Sequence, residues 1–270
     1  MLAIILMVTI SGLSPPEQNA VERAWSVLET ATADKSSEKR TSGMHALGLV
    51  KRNARAERMA EAGLSDENSE VQAAAASALG RMGAVSARGK LRHALEDKDI
   101  RVVLAAANAL YLLKDPAAYD VFYELLTGER KSAPGVLQSQ LAMLKDRRAL
   151  EKLAFETGIG FVPFGSMSYE AFRRLTHDTS TPVRVAAAQK LAEDPDPKSG
   201  EALAVACADK KWEVRAASAD ALSERGDPRL LHAVIPLLED ENESVRNEAA
   251  GAVIHLSTQP EKRKRLFGRK

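Results

Sequence analysis

One short pattern recurs along the chain, and its period constrains the fold more than any other feature. It is clearest in Thr181-Pro182-Val183-Arg184-Val185-Ala186-Ala187-Ala188-Gln189-Lys190-Leu191, where a valine and a leucine sit eight apart with small residues between. The same frame runs from Val214 to Leu222, Val245 to Val253, Val71 to Leu79 and Val102 to Leu110. Fainter copies run from Ala133 to Leu141 and from Lys39 to Leu47. The starts at 39, 71, 102, 133, 183, 214 and 245 are spaced 32, 31, 31, 50, 31 and 31. A unit of this length cannot bury its apolar face alone, so neighbouring copies must stack.

Each copy reads as a helical hairpin. Val183, Ala187 and Leu191 fall on one face of a helix. Thr181 with Pro182 behind it, and Ser69 in an earlier copy, are placed to cap the second helix. Asp115-Pro116, Asp196-Pro197 and Asp227-Pro228 announce first helices, with aspartate as cap and proline at the first helical position. Forty-five alanines and only 4% aromatic residues fit closely packed helices better than a sheet core. The expected fold is all-α: a right-handed α-solenoid, or α-α superhelix, of about seven helical-hairpin repeats. Residues 15–38 are expected to cap it, 39–257 to form the repeats and 258–270 to follow as a basic tail.

A hairpin of about 31 residues carrying D-x4-V-R-x2-A-A-x-A-L resembles the HEAT repeat, in the short form named after phycobilisome lyases. The best matches are Asp209 to Leu222, Asp178 to Leu191 and Asp240 to Val253. Asp66 and Asp97 keep the aspartate, but Gln72 and Val103 replace the arginine. The resemblance implies architecture rather than activity, because such proteins range from scaffolds to a few enzymes. Within it Asp178, Asp209 and Asp240 form one ladder and Arg184, Arg215 and Arg246 another. Spacing by one full repeat is what glue between repeats requires, with a charged recognition strip as the other reading.

The period breaks once. Between the copies at 133 and 183 the chain carries 19 extra residues, which the aspartate frame places near 159–177. That insertion opens on glycines, Pro163, Phe161 and Phe164, and continues through Tyr169 and Phe172. Insertions in solenoids fall on loops, often on the binding face, and aromatics dominate interface hot spots. Phe161, Phe164 and Tyr169 are therefore candidate protein contacts, or else covers for a gap between imperfectly stacked repeats. Trp212, beside Lys210 and Lys211 at a turn, is a further candidate contact.

The first 14 residues are apolar or small and too short to cross a bilayer as a helix. They suit a signal-peptide core, with Thr9 and Ser11 as a cleavage pair, an apolar capping helix or a membrane tether. Export to the periplasm or outside follows if they are a signal, and a cytoplasmic location otherwise. A net charge of +1 gives no whole-molecule field toward nucleic acid or anionic lipid. The basic tail reads as solvated, and membrane contact is expected only through an uncleaved N-terminal segment.

No catalytic, cofactor-binding or metal residue can be nominated. None of His45, His93, His177, His232 and His255 precedes a glutamate, so the His-Glu pairs of the HEAT-repeat enzyme deoxyhypusine hydroxylase are missing. The single cysteine, Cys207, lies in an apolar run and reads as a small buried hydrophobe. A phosphate-binding glycine loop and a G-x-S-x-G motif are both absent from the sequence. The expected function is a protein-binding scaffold or adaptor without catalysis, cofactor or evident small-molecule substrate, its protein partner unknown. The alternative is a HEAT-like enzyme, either a chromophore lyase or a nucleic-acid-processing protein.

Overall fold

The computed structural model describes residues 13–127 and 180–260. These residues form twelve α-helices, joined by turns and short 3-10 segments, with no strand among them. They are α1 (Pro15–Thr32), α2 (Ser37–Leu47), α3 (Ala54–Gly63), α4 (Ser69–Met82), α5 (Arg88–Ala94), α6 (Ile100–Leu112) and α7 (Ala117–Thr127), then α8 (Ser180–Glu193), α9 (Pro197–Ala206), α10 (Trp212–Arg225), α11 (Leu231–Val234) and α12 (Glu243–Ser257). The second helices α2, α4, α6, α8, α10 and α12 carry six of the seven copies. The copy at 133, the insertion at 159–177 and Asp178 lie outside the described residues, as do residues 1–12 and 261–270.

Local chemistry fixes the helix starts, sometimes one residue away from the sequence reading. The cap of α4 is Asn68 rather than Ser69: its side-chain oxygen accepts from the backbone N–H of Glu70 at 2.8 Å and of Val71 at 3.4 Å. Asn242 does the same for α12, at 2.9 and 3.3 Å. Both caps stand three residues ahead of the copy's start, so Ser69 is already the first helical residue. α8 already begins at Ser180, so Thr181 and Pro182 stand inside its first turn rather than at its cap. Asp196 caps α9 ahead of Pro197, as the Asp-Pro pair requires.

Alanine makes the layers thin. Ala73, Ala74, Ala75, Ala76 and Ala78 of α4 are at most 2% exposed, and Leu79 and Leu110 are fully buried. At Gly80 even a methyl group would be too much, since a Cβ there would lie 2.7 Å from the Cα of Ala109. Each second helix packs on the next in sequence: α2 on α4, α4 on α6, α8 on α10 and α10 on α12.

The last layer then meets the first. α12 packs on α1 and α2, so the second helices lie in the spatial order α6, α4, α2, α12, α10, α8. This closing junction has its own register. Elsewhere the residue nine after a copy's start (Gly48, Gly80) faces the alanine seven after the next start (Ala78, Ala109). At the closing junction Gly251, six after its start, faces Ala46. α12 is thus displaced by three residues, about 4.5 Å along the helix axis. The cause is visible in the side chains. The ninth position is Gly48, Gly80, Ala192 or Ser223 in the four copies whose next layer is described, but Ile254 in α12. Isoleucine cannot enter the slot that glycine leaves, so α12 slides until Gly251 takes it. Asn247 then reaches Ser42 at 3.0 Å, and Lys39 reaches Glu243 at 3.4 Å.

Candidate functional site

The aspartate ladder is built into the turns. The carboxylates of Asp34, Asp66, Asp97, Asp209 and Asp240 each accept the backbone N–H two residues on, at 2.7–2.9 Å. That turn feeds the second helix. The arginine six residues later folds back over the same turn: Arg215 donates to the carbonyl oxygen of Asp209 at 2.9 Å, and Arg246 to that of Asp240 at 2.7 Å. Its remaining nitrogens reach the next layer. Arg215 meets Asp240 through two bonds of 2.6 and 2.7 Å, with side chains 10% and 7% exposed. Arg184 pairs with Asp209 through a single bond from a partly exposed side chain, and Arg40 with Asp66 through two bonds of 2.8 Å. A planar guanidinium suits this double task. Gln72 can perform only half of it, donating to the carbonyl oxygen of Asp66 at 2.8 Å. At that junction Arg101 ties back instead, to Glu70 at 2.8 Å and Ser69 at 2.6 Å.

These contacts place Asp209, Asp240, Arg184 and Arg215 between layers, where they are largely occupied with each other. Trp212 heads α10 and packs, half-buried, against the core. Phe161, Phe164 and Tyr169 lie outside the described residues.

Two surfaces that the sequence reading passed over stand out. The first is a cleft of 280 Å³ where the C-terminal ends of α2, α4, α6 and α10 converge. Lys51, Arg81, Asp220 and Glu224 line it, and Arg81 bridges to Asp220 across it at 2.9 Å. Burial, with Arg81 nearby, pushes the His45 imidazole down to about 3. The signal was in the register: His45, Ser77, Asn108, Gln189 and Asp220 all occupy the sixth position after a copy's start. The second surface is aromatic. Tyr111, Leu112, Tyr119 and Tyr123 on α6 and α7 are 51%, 50%, 60% and 43% exposed. Tyr111 meets Tyr119 edge-to-face with ring centres 6.1 Å apart, and Phe122 likewise at 6.2 Å. Four of the chain's twelve aromatics fall between 111 and 123, a group about as tight as Phe161 to Phe172 in the insertion.

Cys207 closes α9 in a buried setting that pushes its thiol up to about 12, far from a thiolate at neutral pH. Among the described residues no group of three or more His, Cys, Asp or Glu side chains could hold a metal ion. No described helix is long and apolar enough to cross a membrane.

Stacked helical hairpins glued by a repeat-spaced Asp–Arg clamp define a helical-repeat protein. The family model for HEAT repeats matches residues 56–133 and 170–254, more than half of the chain, and the chain belongs to the HEAT-repeat family. Among solved structures it is similar to human deoxyhypusine hydroxylase in complex with glycerol, at 21% identity over 89% of this chain and 88% of that one, with a TM-score of 0.32. An engineered protein is similar at 16% identity over 90% of this chain and 98% of that one, with a TM-score of 0.27. Among curated proteins none matches the chain.

Proposed function

We propose that this HEAT-repeat protein is a protein-binding scaffold without catalysis. What supports the reading is the HEAT-repeat architecture, a framework whose Asp–Arg pairs are spent on holding layers together, and the exposed tyrosines of α6 and α7 are the contact it nominates. Large apolar side chains grouped on a soluble face mark interaction sites, and tyrosine is over-represented among residues that dominate binding energy. The raised thiol of Cys207 favours this reading over a cysteine-based lyase. Affinity capture followed by quantitative mass spectrometry tests it, comparing the full chain with a Tyr111→Ser/Tyr119→Ser variant. A partner retained by the wild type is expected to fall about tenfold or more, the loss of about 1.4 kcal/mol. Identical partner sets for the two proteins would remove the tyrosine surface from the reading.

The same reading keeps residues 1–14 as an export signal cut after Ser11. The Ser14 N–H that Glu17 accepts at 2.7 Å, at the start of α1, would then survive in the mature protein. N-terminal sequencing of the secreted or periplasmic fraction is expected to begin at Gly12; an intact Met1 there would refute it.

A further inference from the structure

We propose that the contact between the last layer and the first is a pH-sensitive clasp, closed at neutral pH and opened when His45 and His255 take up protons. His255 of α12 stands at this junction, which joins residues about 200 apart in the chain, and His45 lies on α2, the helix that α12 closes against. His255 of α12 is 5% exposed, and its Nδ1 accepts the backbone N–H of Lys51, just beyond α2, at 3.4 Å. An imidazolium has no lone pair left to accept that bond, so protonation breaks a contact of the junction directly.

The Gln259 amide lies 3.3 Å from His255 Nε2, and the nearby charges that act on the two rings oppose a cation. Lys51 is the charge that acts on His255, and Arg81 of α4 the one that acts on His45. Asp220 and Glu224 of α10 and Glu248 of α12 gather around Arg81, whose own charge they balance. α1 buries Ala20, Val21, Ala24, Leu28 and Ala31 and packs Trp25 and Val27 against the core, while its Arg23 pairs with Glu239. The segment ahead of α12 carries Arg229, His232 and Glu239, all exposed. Burial and these cations hold His255 down to about 4 and His45 to about 3, against 6.5 for an open histidine.

The sign follows from linkage. The open form binds protons from pH 6.5 downward while the closed form does not, so closure is fully favoured above that pH and weakens on acidification. Each pH unit between 6.5 and the depressed values weakens closure by up to about tenfold for each histidine. Among the described residues this junction is unlike the others: it lacks a bidentate Arg–Asp clamp and is held by Gly251, the Asn247–Ser42 bond, the long Lys39–Glu243 pair, the exposed Arg23–Glu239 pair and the packing of α12 on α1.

Small-angle scattering of the full chain from about pH 7.5 to about 4.5, with circular dichroism in parallel, tests the proposal. The radius of gyration is expected to rise on acidification while helicity persists. A His45→Gln/His255→Gln variant is expected to stay closed at least about one pH unit lower. No expansion, expansion together with loss of helix, or an unchanged midpoint in the variant would overturn it. The last outcome would hand the transition to Asp220, Glu224 and Glu248. Should the variant not fold, the imidazole proton resonances of the wild type decide. His45 and His255 staying neutral until the chain expands supports the clasp. Their protonation while the chain is still compact refutes it.

Discussion

Arg215→Ala is expected to cost about 3 kcal/mol of folding stability, read from denaturant unfolding. The guanidinium makes two bonds to Asp240 and another to the Asp209 carbonyl, and the carboxylate it serves is 7% exposed on its side chain. Truncation leaves Asp240 largely buried with its other bond, to the Asn242 N–H, but without the cation. Arg215→Lys is expected to recover less than half, since one ammonium cannot span both the neighbouring carboxylate and its own turn. A loss below about 1 kcal/mol would place the pair among surface ion pairs and strip the ladder of its structural role. The pH dependence has a definite sign. The Arg215 guanidinium and the Asn242 N–H hold the Asp240 carboxyl below its usual range despite burial, and Arg40 does the same for Asp66. A depressed carboxylate stabilises the fold above its ordinary value of 3.8 and ceases to do so as pH falls through the depressed one. The ladder therefore holds firm from pH 6.5 down to about 3.8, a range in which the histidine junction already weakens.

The repeat was legible because its information is local and redundant. A valine eight residues before a leucine, alanines between and an aspartate five before the valine recur in most copies, so a departure in one, such as Lys39 or Val253, is corrected by the next. Register along the helix was legible in most copies to within a residue, as where Asn68 rather than Ser69 caps α4, but in α8 the face read from Val183 and Ala187 is exposed and Val185 and Ala188 are buried instead. The order of layers was not legible. That α12 packs on α2 depends on residues about 200 apart, and the only local marks are Gly251 and Ile254 standing where other copies carry something else. The cleft escaped for a related reason. Arg81 and Asp220 become partners only once the last layer has closed on the first, although the polar sixth position could be read from any alignment of the copies. The tyrosine surface could have been found by the same count of aromatics that drew attention to Phe161, Phe164 and Tyr169.

Gly251→Ala is expected to separate the first layer from the last. A Cβ at that position would overlap the carbonyl oxygen of Ala46, a backbone atom that cannot rotate aside, with the carbonyl carbon only 3.2 Å away. Overpacking of this kind typically costs about 1–3 kcal/mol, and a contact with backbone belongs at the upper end. The cost falls on one junction, because α10 and α12 pack through other residues. Scattering is expected to show a larger radius of gyration at neutral pH with helicity little changed, and amide exchange to rise in α1, α2 and α12 before α4 or α10. Gly89→Ala supplies the control. Gly89 sits in α5 with nothing within 4 Å of where a methyl group would stand, so alanine there is expected to gain up to about 1 kcal/mol from helix propensity alone. If Gly251→Ala behaves like Gly89→Ala, α12 does not rest on α2 in solution. The spatial order of the layers, the cleft at Arg81 and the histidine clasp would then fall together, while the Asp–Arg ladder, formed between layers adjacent in sequence, would stand.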